Sequence, residues 1–365
     1  MVQTDDLRIQ RTRPLLTPAI LAEELPVPES SASRIAVARQ DIARALSGTD
    51  PRLVVIVGPC SIHDPDAALD YARRLNDLAG ELAEQMLVVM RVYFEKPRTH
   101  IGWKGLINDP HLDQTFKVND GLRLARKLLL DVSEIGLPAG TEFLDTTLGQ
   151  YYTDLISWGA IGARTTESQI HRQLASGLSM PVGFKNRTDG NVQVAVDAVR
   201  AASQSHWFPS LTKEGAPALL QTRGNPDCHL VLRGGAEPNY QRPQVDDALS
   251  RSRAQGFASG LIIDCSHGNS NKDPAQQPRV AEAVIAQIVA DRAEPSTTDP
   301  SKRLRIAGLM LESHLEGGRQ DIAATPLTYG QSITDGCLSF AETAQLLQHL
   351  HQELSRTSDT KQEKK

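Results

Sequence analysis

The chain has 365 residues, 40% of them hydrophobic, and a formal net charge of −5; that length suits one large α/β domain with an extension. No apolar run reaches the roughly 18 residues of a membrane-spanning helix, and the start MVQTDDLRIQRTRP lacks the apolar stretch of a signal peptide. Mild acidity argues against nucleic acid as the main partner, so a cytoplasmic protein acting on small molecules is expected.

Residues 1–50 read as an extension, with prolines near 26–28, a serine-rich ESSASR and a helical pattern through IAVARQDIARAL that stops at Gly48. Short apolar runs then alternate with helix-period segments. The runs are RLVVIVG (52–58), LVVMRVYF (87–94), LPAGTEF (137–143), AIGAR (160–164), PVGFK (181–185), HLVLRGG (229–235), GLIIDCS (260–266) and RIAGLMLES (305–313). Helices are expected at 65–79, 118–132, 147–157, 167–177, 189–203, 240–256, 274–291 and 339–353. Continuous apolar runs suit parallel strands covered on both faces. Eight strand–helix units over 51–353 predict an α/β fold of the (β/α)8 TIM-barrel class. A doubly wound open sheet is the alternative, but no G-x-G-x-x-G follows the first strand. The segment 206–225 reads as a β-hairpin inserted before the sixth barrel strand, with Gly215 near its turn, and 354–365 as a polar, disordered tail.

In such a barrel, chemistry sits at the C-terminal ends of the strands. Read in order, those ends carry Cys60, Arg91, Glu142, Arg164, Lys185, Arg233, His267 and Glu312. One polar residue after an apolar run marks only a solvated loop; eight of eight converge on one pocket if the barrel closes. The stretch MRVYFEKPRTHIGWKG (90–105) adds Lys96 and Arg98, with Lys104 close behind and Glu95 as its one acid. Six cations at one mouth, Arg91, Lys96, Arg98, Arg164, Lys185 and Arg233, exceed what a single phosphate requires and suit two anionic groups or more.

Cys60, His267, Glu312 and Asp335 form a mixed soft and hard donor set, compatible with Mn²⁺, Fe²⁺, Co²⁺ or Zn²⁺ and unlike an all-oxygen cage. Alone, Cys60 reads as a small buried apolar residue and His267 as a loop histidine, since no ligand spacing is local. His63 makes a C-x-x-H with Cys60 but has no second such pair, and His314 and Asp264 stand beside the set in a supporting position. The four cysteines, Cys60, Cys228, Cys265 and Cys337, lack paired spacing, so no disulfide framework is expected.

The segments GPCSIHDP (58–65), MRVYFEKPRTHIGWKGLINDP (90–110), SWGAIGARTTESQIHR (157–172), PVGFKN (181–186), LRGGAEPNY (232–240), DCSHGNSNK (264–272), ESHLEGG (312–318) and YGQSITDGC (329–337) resemble class I 3-deoxy-D-arabino-heptulosonate 7-phosphate (DAHP) synthase. The likeness covers about residues 5–350 and is nearest to the feedback-regulated microbial form. It implies condensation of phosphoenolpyruvate with D-erythrose 4-phosphate, with release of phosphate. By position in the motifs, Arg91, Arg164, Lys185 and Arg233 hold phosphoenolpyruvate, while Lys96 lies between the substrates. Arg98 and Thr99 bind the erythrose phosphate, and Cys60, His267, Glu312 and Asp335 bind one divalent metal, with Mn²⁺ the leading choice. Catalysis is expected from Lys96, His267 and Cys60, and Glu142, in TEFLD, is a candidate base for the water.

The resemblance also implies a pocket for an aromatic amino acid formed by the extension and the hairpin, with Asp5, Asp6, Ser179 and Ser210 in its segments, and a homodimer or homotetramer. Without it these residues read as caps and loop polarity. Local matches divide among the tyrosine-, phenylalanine- and tryptophan-sensitive types. One departure stands out: Arg187 replaces the glycine usual after GFKN, which would strain the turn if its φ were positive. Other readings are an octulosonate 8-phosphate synthase, a catalytically silent regulatory subunit, and a metal-dependent phosphohydrolase.

Overall fold

The β-branched and leucine-rich runs become strands that are buried along almost their whole length. In the computed structural model, which describes residues 2–98, 102–257, 259–293 and 305–362, the strands are β1 (Leu53–Gly58), β2 (Met86–Arg91), β3 (Ala139–Glu142), β4 (Trp158–Ile161), β5 (Val182–Lys185), β6 (Trp207–Leu211), β7 (Pro217–Gln221), β8 (Cys228–Leu232), β9 (Leu261–Asp264) and β10 (Ile306–Glu312). All but β6 and β7 pair in parallel and close in the order β1-β10-β9-β8-β5-β4-β3-β2. The helices are α1 (Pro18–Glu24), α2 (Glu29–Ser47), α3 (Pro65–Leu82), α4 (Val118–Ile135), α5 (Gln169–Gly177), α6 (Gln193–Ala202), α7 (Arg242–Ala254), α8 (Gln277–Ala293) and α9 (Phe340–Gln362). The chain is a (β/α)8 barrel, as the spacing of apolar runs predicts.

Local chemistry sets the helix limits. Asp64 caps α3 by accepting from the N–H groups of Asp66 and Ala67, with Pro65 at the first turn. Tyr71, Leu75, Leu78 and Leu82 then form its buried stripe. α2 ends on Gly48, whose left-handed φ of 90° closes the last turn. Two cores result. Val54, Ile56, Val89, Trp158, Val231, Ile262 and Met310 fill the barrel, and Ile42, Ala45 and Leu46 of α2 plug its N-terminal end. A larger shell packs between strands and outer helices. The extension is therefore part of the barrel's packing.

One expected helix does not form. Over 147–157 the chain makes two short 3₁₀ turns, Leu148–Tyr151 and Thr153–Leu155. Arginines from neighbouring helices take its carbonyls: Arg126 Nη1 donates to Tyr151 O at 2.9 Å, Arg39 Nη2 to Thr153 O at 2.8 Å and Arg39 Nε to Ile156 O at 2.9 Å. The carbonyls of Tyr151 and Thr153 would have accepted from the N–H groups four residues on in an α-helix, and that of Ile156 would have been one of its unpaired end groups. The hairpin forms as expected, β6 antiparallel to β7 with Gly215 at φ 79°, and its turn meets the extension where Ala19 N donates to Lys213 O at 2.7 Å. α9 continues to Gln362, past residue 354 where a disordered tail is expected. No helix among the described residues is long and apolar enough to cross a membrane.

Candidate functional site

The C-terminal strand ends surround a cavity of about 710 Å³. Of the residues singled out in the sequence, Lys96, Arg98, Glu142, Arg164, Lys185, Arg233, His267, Glu312 and Asp335 line it. Thr99 lies outside the described residues, and Lys104 is exposed, away from the cavity wall.

Cys60, Glu312 and Asp335 come together with one donor atom each inside 4.8 Å of the others. Gly58, at φ 150°, lets β1 pass the backbone of Arg91, where a Cβ would lie 3.0 Å from Arg91 O. The chain then turns through Pro59 to present Cys60. Glu312 ends β10, which pairs with β1 through Gly58. Asp335 arrives on the loop after β10, held by a 2.7 Å contact between the hydroxyls of Ser61 and Thr334 and by the Gly318–Cys337 bridge. The Cys60 thiol donates to Asp335 Oδ2 at 3.3 Å. Burial, aided by Glu312, pushes that thiol up to about 12.

Lys96 Nζ stands 2.8 Å from Cys60 Sγ and 3.9 Å from Asp335 Oδ2, a cation already seated against the donor set. Burial works against its charge, but the surrounding thiol and carboxylates outweigh it and raise its pKa. A thiol and two carboxylates that gather an ammonium fit a divalent ion. His267 is not among the three. It sits at φ 55°, in a loop where Asn271 and Lys272 are also left-handed. Its Nδ1 faces Asp264 Oδ2 at 3.0 Å and Ser266 Oγ at 2.7 Å, which leaves Nε2 as the nitrogen for any other partner. His63 packs edge-on against His314, 6.3 Å between centroids, outside the donor cluster.

The cations divide into two kinds. Arg91 is 1% exposed, pairs with Glu312 at 3.1 Å and lies 4.0 Å from the Tyr93 ring centroid. It is therefore behind Glu312, not on the cavity wall as the strand-end reading has it. Lys185 pairs with the fully buried Asp264 at 2.9 Å. Arg98, Arg164 and Arg233 instead meet backbone carbonyls: Trp103 O at 2.7 Å, Pro97 O at 2.9 Å and Gly234 O at 3.2 Å. Among the described residues no carboxylate pairs with these three. Burial lowers the pKa of Arg233 despite Asp264 and Glu312, whereas Lys185, also desolvated, is raised by its partner Asp264. Guanidinium groups held by carbonyls alone, at the wall of a polar cavity, leave positive charge for an incoming anion.

Several contributors have no apolar-run signature. Lys272 adds a cation to the wall. Asn186, Asn239 and Asn269 lace the loops after β5, β8 and β9, with Arg233 N donating to Asn186 Oδ1 at 2.8 Å. Gly162 leaves room for Glu142, whose Oε1 would lie 2.3 Å from a Cβ there. Arg187 is not in the left-handed region, so the turn is unstrained, and it pairs with Glu167 and Asp189 at 3.2 Å each. Asp5, Asp6 and Ser179 are exposed and Ser210 half-buried in β6; among the described residues no hydrogen bond or ion pair joins the first two to the serines.

Residues 28–348 match the model of the DAHP synthetase I family. The chain belongs to that family. It is 52% identical, over 95% of its length and 97% of the relative's, to the Phe-sensitive phospho-2-dehydro-3-deoxyheptonate aldolase of Escherichia coli K12. The Trp-sensitive enzyme of Enterobacter agglomerans is 51% identical, over 97% of this chain and 99% of that one. The structure of the Francisella tularensis SCHU S4 phospho-2-dehydro-3-deoxyheptonate aldolase superposes with a TM-score of 0.90 at 47% identity, covering 95% and 98% of the two chains.

Proposed function

We propose that the cavity joins phosphoenolpyruvate to D-erythrose 4-phosphate through the residues described above. The chain is a 3-deoxy-7-phosphoheptulonate synthase, an enzyme of the first step of the shikimate pathway, by its family and its full-length relatives. What supports the assignment of substrates to residues is one observation: Arg98, Arg164 and Arg233 reach the cavity with no acid partner among the described residues, in the chamber that Glu312 and Asp335 of the donor cluster also line.

Arg164, Lys185 and Arg233 hold phosphoenolpyruvate, with Arg91 adding charge from beneath Glu312. Arg98, with Thr99, takes the phosphate of the erythrose. Holding two mutually repelling anions in attack geometry is the entropic and electrostatic part of the work. Cys60, Glu312 and Asp335, joined by His267, would hold one divalent ion, Mn²⁺ before Fe²⁺, Co²⁺ or Zn²⁺. When bound, that ion supplies Lewis-acid polarisation of the aldehyde. Lys96, 2.8 Å from Cys60 Sγ, would donate a hydrogen bond to the developing alkoxide. Carbon 3 of phosphoenolpyruvate bonds to the aldehyde carbon, water adds at carbon 2, and the hemiketal phosphate collapses with C–O cleavage. Glu142 is the candidate base for that water. An aromatic amino acid effector, with Asp5, Asp6, Ser179 and Ser210 at its pocket, a homodimer or homotetramer and a cytoplasmic location complete the proposal.

The test is phosphate release with Mn²⁺ from phosphoenolpyruvate alone, erythrose 4-phosphate alone, and both. Release only from the pair, abolished by EDTA, is expected. Release from a single substrate would mean a hydrolase instead, and none from any mixture a silent subunit.

A further inference from the structure

At the end of the barrel opposite the catalytic mouth, α2 leaves a second cavity of about 450 Å³ between itself and the starts of β2, β3 and β4. Its walls are mostly apolar: Ile35, Ala38 and Ile42 of α2 face Met86 and Val88 of β2 and Leu137 ahead of β3. Sites for small molecules have roughly this size, about 300–1,000 Å³, with few polar groups among apolar ones.

Two polar groups here have bonding capacity to spare. Ser157, immediately before β4, is 0% exposed, lines the cavity, and its Oγ has no hydrogen-bond partner. Buried hydroxyls are almost always paired, because an unmet one forfeits its hydration without return. Arg34 stands at the rim. Its Nε donates to Ser133 O at 3.1 Å and its Nη2 to Ser31 Oγ at 3.0 Å, and among the described residues no carboxylate pairs with it. Asp41, the acid on the same wall, is engaged by Arg44 and Arg52. Apolar space thus adjoins one unbalanced cation and one unpaired hydroxyl.

We propose that this cavity binds a ring-sized apolar carboxylate, its charge on Arg34, its ring between α2 and β2, and a ring hydroxyl on Ser157. None of these residues takes part in the reaction proposed above, so the two readings stand or fall separately.

The probe is 3-bromo-4-hydroxybenzoate. Bromine is located by anomalous scattering in crystals of the full chain, and affinity is measured by calorimetry with phosphoenolpyruvate saturating the catalytic cations. A bromine peak between α2 and β2 is expected. Arg34→Gln should weaken binding about tenfold, as loss of a charge-assisted hydrogen bond does, and Ser157→Ala by about threefold. Ala38→Leu should abolish binding by filling the space. Turnover without the probe should stay at the wild-type level in Arg34→Gln, since Arg34 is an exposed rim residue at the end of the barrel opposite the catalytic mouth. A peak only at the catalytic mouth, binding at crystal concentration only, or equal affinity in wild type and Arg34→Gln would each overturn the proposal.

Discussion

The ammonium of Lys96 donates to the sulfur of Cys60 across 2.8 Å, although the two residues lie 36 positions apart on different strand ends. The cation proposed to stabilise charge at the aldehyde is thereby held against the atom proposed to ligate the metal. Cys60→Ala should lower turnover by more than about 100-fold, the scale of losing a metal-centred contribution, and should lower the bound metal seen by elemental analysis. Full activity together with a full complement of metal would remove Cys60 from the centre.

Arg98 donates to the carbonyl of Trp103 at 2.7 Å and, among the described residues, pairs with no carboxylate, which leaves its charge for a phosphate. Arg98→Ala should raise the KM for erythrose 4-phosphate roughly tenfold or more, as expected for a charged hydrogen bond, with little change for phosphoenolpyruvate. Steady-state kinetics in both substrates decide it, and equal changes would mean that the cations are divided differently.

Glu95 is 5% exposed, and burial pushes its carboxyl up to about 8. A folded-state pKa above the unfolded value favours the protonated form on folding, so this contribution is complete below about pH 4.5 and is lost as pH rises through about 8. Glu95→Gln should flatten that decline, with a difference on the order of 4 kcal/mol developing by pH 8. Denaturant unfolding at about pH 5, 6.5 and 8 spans that window; parallel curves for the two proteins would refute it.

Arg126 is 2% exposed and makes a bidentate pair with Asp154, 2.8 Å for each bond, and further bonds to Leu25 O and Tyr151 O, both at 2.9 Å. It ties the extension and the 3₁₀ turns to α4. Arg126→Ala should cost about 2 kcal/mol, because it leaves the carbonyls of Leu25 and Tyr151 without their donor as well as removing the pair with the exposed Asp154, while KM values stay near wild type. A loss under about 0.5 kcal/mol, the level of an exposed pair, would show that the network is not cooperative.

Arg187 occupies an unstrained backbone position and an exposed ion-pair cluster with Glu167 and Asp189. Arg187→Gly should leave kcat/KM within about twofold, since exposed pairs contribute little. A change of tenfold or more in the steady-state assay would mean that Arg187 reaches the substrate.

The barrel is legible in the sequence because each of its strands is covered on both faces. Runs such as LVVIV in β1 and LIID in β9 therefore need no long-range information to be recognised. β1 owes its strand character to Val54, Val55, Ile56 and Val57, β-branched residues that pack well on a pleated surface. The strand-end rule then picks out Lys185, Arg233 and Glu312 before any contact is known.

What the sequence by itself determined is the class of fold, the hairpin and the roster of ionisable residues at the strand ends, since periodicity and strand order are local properties. Only the tertiary structure decided which charges already have a carboxylate partner. Arg91 and Lys185 look the same as Arg164 and Arg233 in the sequence, yet the first two are each paired, with Glu312 and Asp264, acids 221 and 79 positions away. The same holds for 147–157, whose helical pattern lost its carbonyls to Arg39 and Arg126. Pairing across a closed barrel depends on distances that no window of sequence contains, and in a desolvated site those distances set the charge state of every group.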